Sequence, residues 1–280
     1  MSAPREIEFQ GQPAVALESP DGARAVVLLH GGQLVSWMPA GGEEQLYLSE
    51  TSRHGEGQSV RGGVPVIFPQ FAARGPLPRH GLLRTRAWAL DEALVRGRHA
   101  QAVLRFAADG ETRRHWPHEF EAEITVSIGG RQVDIELAVS NTGHTPFEFT
   151  AALHTYLRTA DVLKLQLEGL QGVRYEDSLT GEFQQQWGDV MTIATEVDRI
   201  YQDARRTLTL RELGRRLAID ASGFPDVVVW NPGAEKTAQL KDMPADDWRR
   251  MLCVEAALVF EPALLPPGEE WSGMQTLVAS

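Results

Sequence analysis

Two side chains that can exchange protons stand in apolar stretches, far apart in the chain. His154 lies in the stretch FTAALHTY at residues 149–156, and Glu255 lies in LCVEAAL at residues 252–258. A lone histidine in an apolar strand is more often a structural residue, whereas a carboxylate between apolar residues carries a desolvation cost that a partner or a function must offset. If the fold brings the two together, one can donate a proton while the other accepts one, and each role contributes roughly 10²- to 10⁴-fold to a rate.

A third group of polar residues lies in the stretch VRGGVPVIFPQFAARGPLPRHGLLR at residues 60–84. Its glycines release the backbone and its prolines fix φ, which predicts a loop held in one shape rather than a strand or a helix. Arg61 and Arg84 carry permanent positive charge and offer planar sets of donors to a carboxylate or a phosphate, with His80 as a polar neighbour. Two interpretations remain open: the arginines pair with acidic neighbours, or they bind an anionic ligand.

The composition limits the ligands that these arginines can bind. The chain of 280 residues has a formal net charge of −11 and a pI of about 5.2. This balance argues against binding to nucleic acid or to an anionic membrane, since both need a positive surface. Charges are screened over roughly 8 Å at physiological salt, so clustered arginines can still hold a small anion in an acidic protein.

Several other chemistries lack their sequence signatures. Cys253 is the only cysteine, which excludes an intrachain disulfide and a cysteine-based zinc site. The sequence contains no phosphate-binding loop, dinucleotide fingerprint, HExxH pair or GxSxG motif. Its start has no apolar signal segment, and its apolar runs are far shorter than the roughly 20 residues of a membrane span. We therefore expect a cytoplasmic protein.

Alternation of apolar and polar residues predicts the strands that must position these groups. The clearest pair, residues 120–128 and 133–139, is joined by a turn at Gly129 and Gly130. Residues 15–17 and 25–29 predict an N-terminal hairpin around a turn at residues 19–22. Further strands are predicted at residues 102–107, 147–156, 163–167, 192–200, 207–210, 217–221, 227–230, 252–258 and 274–278.

Helical periodicity is almost absent, and one short helix is predicted at residues 245–251. The pattern indicates an all-β protein: one domain of residues 1–280, built as a large antiparallel β-sandwich of two packed sheets with few short helices. Trp230, in the strand that ends at residue 230, is by default a core residue. Residues 169–177 are interpreted as a loop whose carboxylates either bind hydroxyl groups or are simply solvated.

Taken in order, six segments of the chain resemble the aldose 1-epimerase (galactose mutarotase-like) superfamily, and within it the hexose-6-phosphate mutarotases. They are RGGVP with FP at residues 61–69, HGLLR at 80–84, HTY at 154–156, residues 169–177, DVVVWNP with EK at 226–236, and CVE at 253–255. Each segment alone is a weak signal, but their order and spacing match over residues 10–278. The resemblance implies a β-supersandwich with a sugar cleft across one sheet, and interconversion of the α and β anomers of a hexose 6-phosphate.

The resemblance also implies roles for particular residues. His154 matches the general acid that protonates the ring oxygen, and Glu255 matches the base that takes the proton of the anomeric hydroxyl. The implied substrate-binding positions are Arg61, His80, Arg84 and Asp177, with Arg79 and Trp230 as further candidates. The arginines at 61 and 84 are expected to hold the phosphate, while Arg79 either adds to this clamp or narrows the cleft. No metal ion or cofactor is implied, and the expected partner is a small sugar phosphate bound by a monomer.

Two other functions remain open on sequence alone. The protein could be a mutarotase for an unphosphorylated aldose, or a non-catalytic carbohydrate-binding protein with the same fold. With ordinary pKa values of about 4.3 and 6.5, Glu255 would be ionised and His154 partly protonated at neutral pH, as their implied roles require.

Overall fold

The structure is a computed structural model that describes residues 4–52, 55 and 57–280. Strands and tight turns make up most of these residues. The strands in the first half of the chain are β1 (Arg5–Phe9), β2 (Gln12–Glu18), β3 (Arg24–Leu28), β4 (Gln33–Met38), β5 (Val66–Ile67), β6 (Ala89–Arg96), β7 (His99–Ala107), β8 (Phe120–Gly129) and β9 (Gln132–Asn141).

The strands in the second half are β10 (Phe147–Leu153), β11 (Tyr156–Arg158), β12 (Gln166–Glu168), β13 (Arg174–Asp177), β14 (Glu182–Gln185), β15 (Val190–Met191), β16 (Val197–Tyr201), β17 (Leu208–Glu212), β18 (Arg215–Ser222), β19 (Asp226–Asn231), β20 (Met251–Leu265) and β21 (Glu270–Ala279). Helices in the described residues are α1 (Gly110–His115), α2 (Gly233–Thr237) and the 3₁₀ helices Leu83–Thr85, Val162–Lys164 and Asp247–Arg250. None of these helices is long and apolar enough to cross a membrane.

Within the described residues the strands form three sheets, and every pairing between these strands is antiparallel. A nine-stranded sheet has the order β15-β12-β17-β18-β21-β9-β8-β7-β6, and an eight-stranded sheet has the order β14-β13-β16-β19-β20-β10-β5, with β11 also paired to β20. The third sheet, β1-β2-β3-β4, has four strands. The predicted all-β antiparallel sandwich is confirmed, although the prediction of two sheets omitted the third.

One apolar core lies between the two large sheets. The alternating strands β8 and β9 bury one face each, including Ile124 and Leu137, and these side chains belong to the same cluster as Leu153 of β10 and Val229 of β19. Burial of this apolar area at about 25 cal/mol per Å² is the main favourable contribution to folding. The prediction that residues 1–280 are a single domain stays a prediction.

The register of the eight-stranded sheet decides which side chains face away from this core. Val229 of β19 and Val254 of β20 are opposed and point inward. Because the side-chain period of a strand is two, the neighbouring opposed pair, Val228 and Glu255, lies on the outer face. Ile200 of β16 packs with Val228 on that outer face, which forms the floor of a cleft.

Most predicted strands are confirmed within a few residues, including the hairpins β2–β3 and β8–β9. The sequence analysis did not predict β4 or β6, because neither strand alternates between buried and exposed positions. β4 is buried at nearly every position, and β6 is half-buried or exposed throughout. The predicted strand at residues 163–167 is misplaced: residues 162–164 form a 3₁₀ helix, whose start is capped where the Asp161 side chain accepts a hydrogen bond from the Leu163 amide. The helix predicted at residues 245–251 is only a short 3₁₀ helix, because β20 begins at Met251.

The glycines in residues 60–84 are required by close backbone contacts. Gly81 has φ +71°, and a Cβ built on it would lie 2.2 Å from the carbonyl oxygen of Phe68. Gly81 lies this close to Phe68 because two backbone segments are hydrogen-bonded here: the Leu82 amide donates to the Phe68 carbonyl at 2.8 Å. Only glycine allows this approach, and it places His80 and Arg84 beside the cleft.

We expect Gly81→Ala to destabilise the protein by about 3 kcal/mol or more, because the backbone of residues 68–69 must move away from the new methyl group. Gly97→Ala is the matched control, since Gly97 also has positive φ (+58°) but has no atom within 4 Å of a built Cβ. It should cost only about 1–2 kcal/mol of left-handed backbone strain. Urea unfolding of both variants measures the difference, and equal losses would contradict the steric explanation.

Candidate active site

A cavity of about 630 Å³ opens on the outer face of the eight-stranded sheet. Its floor comes from β16, β19 and β20, and its walls come from the loop at residues 60–84 and from β13. The side chains that carry charge, hydrogen-bonding groups or large rings in its lining are Ser59, Arg61, Phe71, Arg74, Arg79, His80, Arg84, His154, Tyr156, Glu176, Ser178, Asp198, Trp230, Lys236 and Glu255. The cavity therefore contains every residue predicted to contact substrate except Asp177.

The two proton-transfer candidates meet at the centre of this cavity. His154 follows directly after β10, where its backbone amide donates a hydrogen bond to the Pro65 carbonyl at 3.0 Å. Glu255 lies in β20, the strand paired with β10, one residue away from the partner of Leu153. The distance from His154 Nδ1 to Glu255 Oε1 is 3.4 Å, and both side chains are buried.

The surroundings of this pair disfavour both the ionised form of Glu255 and the protonated form of His154. Burial raises the pKa of Glu255 well above its ordinary value, and the negative charge of Asp198 raises it further, whereas Arg79 acts in the opposite direction. Burial lowers the pKa of His154 well below its ordinary value, and the positive charges of Arg84 and Arg61 add to this effect. Both shifts act against the ionised glutamate and the partly protonated histidine that the ordinary pKa values predict.

The neutral pair nevertheless holds the proton that the predicted chemistry needs. A protonated Glu255 with a neutral His154 contains the same number of protons as an ionised Glu255 with a protonated His154. One proton transfer between the two side chains interconverts the two arrangements. Neither His154 Nδ1 nor Glu255 Oε2 has a hydrogen-bond partner among the described residues, so the 3.4 Å contact is a close approach of the two groups and not a formed hydrogen bond.

Arg61 is held in place by protein groups. Its Nε and Nη2 atoms donate to the two carboxylate oxygens of Asp242 at 3.1 and 3.2 Å. Its Nη1 atom donates to the hydroxyl oxygen of Tyr156 at 3.1 Å. Tyr156 in turn stacks on His154, with ring centres 4.8 Å apart and planes 9° from parallel. For Arg61, the interpretation of pairing with an acidic neighbour is the one that the structure supports.

Arg79 and Arg84 differ from Arg61 in this respect. Arg84 donates from Nη2 to the Arg79 carbonyl at 3.0 Å, and neither guanidinium forms an ion pair with a carboxylate in the described part of the chain. Burial and the charges of Arg84 and Arg79 lower the pKa of His80 to about 3. His80 is therefore a neutral ring at the cleft wall. It packs edge-to-face against His154, with the two ring centres 5.4 Å apart.

Asp177 does not line the cavity, and its predicted role as a sugar contact stays a prediction. Residues 169–177 were interpreted as a loop, but they end in β13, where Tyr175 and Asp177 face inward and Glu176 faces the cleft. The Asp177 carboxylate lies 3.9 Å from Arg199 Nε and accepts a hydrogen bond from the Leu179 amide at 3.0 Å. Its position on the inner face follows from the period of two along the strand.

Asp198 of β16 is the cleft carboxylate that the sequence interpretation missed. It is paired in register with Trp230 of β19, which lines the same face, and burial raises its pKa above the ordinary value. The sequence did contain a signal, since Asp198 and Ile200 occupy alternate positions of a predicted strand. Only the register with β19 shows that this alternation faces the cleft.

Three potential metal ligands lie together at the floor of the cleft, and two of them, His154 and Glu255, line it. Donor atoms of His154, Cys253 and Glu255 lie within 4.8 Å of one another. Histidine, thiolate and carboxylate are all ligands that Zn²⁺ accepts, although typical ligand bonds of about 2.0–2.3 Å would require the three side chains to move closer. The expectations that the reaction needs no metal ion or cofactor, and that the protein is a monomer, remain predictions.

Comparisons with known proteins show which sequences and folds this chain is similar to. The aldose 1-epimerase family model matches residues 13–277. A relative from Cenchrus ciliaris is 34% identical over 288 residues, which cover 96% of this chain and 85% of that protein. A relative from Escherichia coli K12 is 33% identical over 244 residues, which cover 85% of this chain and 81% of that protein. The names of both relatives assign them glucose-6-phosphate 1-epimerase activity provisionally.

The fold has a close counterpart among crystal structures. A protein from Salmonella typhimurium, provisionally named a mutarotase, superimposes with a TM-score of 0.91 at 26% sequence identity. The match covers 99% of this chain and 94% of that one, so the two proteins share the whole sandwich.

Proposed function

We propose that this protein, which belongs to the aldose 1-epimerase family, interconverts the α and β anomers of a hexose 6-phosphate. Family membership makes it an isomerase with aldose 1-epimerase activity, and the phosphorylated substrate is our proposal. The observation that carries it is the pair Arg79 and Arg84, which line the same cavity as His154 and Glu255 and form no ion pair with a carboxylate in the residues that the structure describes.

The chemistry follows from the central pair. Glu255 removes the proton of the anomeric hydroxyl while His154 gives a proton to the ring oxygen, so the bond between C1 and the ring oxygen breaks and an open-chain aldehyde forms. Rotation about the bond between C1 and C2 presents the other face of the aldehyde. The hydroxyl formed from the ring oxygen then attacks that face. His154 takes back its proton from this hydroxyl, Glu255 gives its proton to the aldehyde oxygen, and the protein ends the cycle unchanged.

A phosphate would also shift the pKa values of this pair. Positive charge from Arg84 contributes to the low pKa of His154, and the charge of Arg79 lowers the pKa of Glu255. A phosphate carries close to two negative charges at neutral pH, and bound at Arg79 and Arg84 it offsets both positive charges. The pKa of each residue then rises, which makes the protonated His154 that gives its proton to the ring oxygen easier to form.

The other lining residues fit the remaining parts of a sugar. Asp198 takes the hydroxyl contact that the sequence assigned to Asp177, because its carboxylate faces the cleft. Trp230 offers an aromatic face to the C–H groups of the ring, and the neutral His80 can donate one hydrogen bond and accept another.

The direct test is the rate of anomer exchange, measured by saturation-transfer NMR on glucose 6-phosphate and on free glucose at equal concentrations. Each charge-assisted contact is worth about 1.5–3 kcal/mol, so we expect kcat/KM to favour the phosphate ester by about 100-fold or more. Equal rates for the two sugars would favour a mutarotase for unphosphorylated aldoses. No acceleration of either would favour a carbohydrate-binding protein.

A further inference from the structure

We infer that Tyr156 donates a hydrogen bond to the sugar ring oxygen during ring opening, and that Arg61 positions this tyrosine rather than binding the phosphate. The inference rests on the proposed function and adds to it a second donor beside His154. Its basis is the set of contacts that joins Asp242, Arg61, Tyr156 and His154 along one wall of the cavity.

The hydroxyl proton of Tyr156 has no acceptor among the described residues. An arginine can only donate, so the 3.1 Å hydrogen bond from Arg61 Nη1 uses a lone pair of the Tyr156 oxygen and leaves the O–H free. No other hydrogen bond of this hydroxyl is found within the described part of the chain. The Tyr156 side chain is buried, and it lines the cavity. Buried hydroxyl groups normally find an acceptor, and the cavity is where one can be supplied.

The neighbouring groups suit Tyr156 to act as a donor. Burial raises its pKa above the ordinary value of a phenol, so the hydroxyl keeps its proton at neutral pH. The charged hydrogen bond from Arg61 withdraws electron density from the phenol oxygen, which makes the O–H a stronger donor. The stacking of its ring on His154, 9° from parallel, directs both side chains to the same part of the cleft.

Arg61 is fixed by protein groups, so its role differs from that of Arg79 and Arg84. Both ends of its guanidinium already bind protein groups, Asp242 and Tyr156, so its charge is largely balanced before a ligand arrives. Arg79 and Arg84 do not have such a balancing carboxylate among the described residues. Loss of the Tyr156 hydroxyl should therefore slow turnover of phosphorylated and plain hexoses alike, because both have a ring oxygen.

The test is Tyr156→Phe, which removes the hydroxyl and keeps the ring that stacks on His154. We expect kcat to fall roughly 10- to 100-fold on both glucose 6-phosphate and glucose, as for loss of one donor to developing negative charge, while KM for the phosphate ester changes less than about twofold. The matched control is Tyr47→Phe. Tyr47 is a buried tyrosine beside Tyr156 whose hydroxyl donates to Asp247 at 2.8 Å, and it does not line the cavity. Its loss should leave kcat unchanged.

The outcomes separate this inference from the proposed function. If wild type prefers the phosphate ester and Tyr156→Phe has the kcat of wild type, or changes KM alone, the inference is wrong and the proposed function stands. If wild type shows no phosphate preference but Tyr156→Phe still lowers kcat on glucose, the proposed substrate is wrong and the inference stands.

A second variant tests the role of Arg61 without altering Tyr156. Asp242→Asn weakens the bidentate anchor of Arg61, and we expect kcat to fall roughly 3- to 10-fold on both sugars. A rise in KM for glucose 6-phosphate alone would instead place Arg61 in the phosphate site and overturn the inference.

Discussion

Replacement of Glu255 by glutamine is expected to reduce the catalysed rate of anomer exchange by about 10³- to 10⁴-fold, the upper range for a positioned acid or base. Glutamine keeps the size of the side chain and cannot accept the anomeric proton. It also removes one of the two sites between which the proton of the neutral pair moves. Saturation-transfer NMR on glucose 6-phosphate measures the loss, after subtraction of the spontaneous exchange in buffer.

The same substitution should make the protein more stable. Burial raises the pKa of Glu255 in the folded protein above its value in the unfolded chain. At a pH between the two values, the unfolded chain releases a proton that the folded protein keeps, so the free energy of unfolding of wild type falls as the pH rises through that window. Glutamine does not titrate. The midpoint temperature of Glu255→Gln should therefore exceed that of wild type at pH 7 and approach it below about pH 4.

Glu212→Gln is the matched control for both effects. Glu212 is also a buried glutamate, but its two carboxylate oxygens accept hydrogen bonds from the backbone amides of Ala160 and Asp161, away from the cleft. Its replacement should leave anomer exchange intact and lower stability by about 1–3 kcal/mol, because one amide then faces a donor. Full activity in Glu255→Gln would contradict the assignment of Glu255 as the base. A loss of stability like that of the control would contradict the raised pKa of Glu255.

Glu255 also illustrates which properties of the site can be predicted from the sequence. A carboxylate between apolar residues is visible in the printed chain, because its burial requires a reason. Its pKa is not visible, because the shift depends on Asp198 and Arg79, which come from other segments of the chain. The ordinary pKa value therefore does not show the direction in which the fold shifts the pKa of Glu255.

Asp177 and Asp198 illustrate the same limit for binding residues. Both are acidic residues close to strands, and composition alone does not distinguish them. A shift of one residue along a strand moves a side chain to the other face of the sheet, and the faces of β13 and β16 are set by their pairing with each other and with β19. The existence of most predicted strands followed from alternation, whereas the choice of face required the pairing of strands distant in sequence.

The different roles of Arg61 and Arg84 depend on a residue that lies even further away in the sequence. The sequence presents Arg61 and Arg84 as equivalent cations in one loop. Asp242, which distinguishes them by pairing with Arg61, is 181 positions further along the chain. The local sequence around each arginine has no feature that predicts this partner.

Replacement of Arg84 by glutamine is expected to reduce kcat/KM for glucose 6-phosphate by roughly 10- to 100-fold, and that for glucose by less than about threefold. The larger loss corresponds to one charge-assisted contact of about 1.5–3 kcal/mol with the phosphate. Glucose lacks the phosphate, so it loses only the indirect effect of the charge on His154. The double replacement of Arg79 and Arg84 should abolish most of the preference for the phosphate ester.

The matched control is Arg98→Gln, because Arg98 is exposed in the turn between β6 and β7 and does not line the cleft. It removes the same charge from the protein and should leave both substrates unaffected. The preference of wild type should also weaken as salt is raised, since screening reduces the attraction between an exposed guanidinium such as that of Arg79 and a dianion. Equal losses on both sugars in Arg84→Gln would mean that Arg84 maintains the shape of the cleft. In that case the phosphate proposal would lose the observation that carries it.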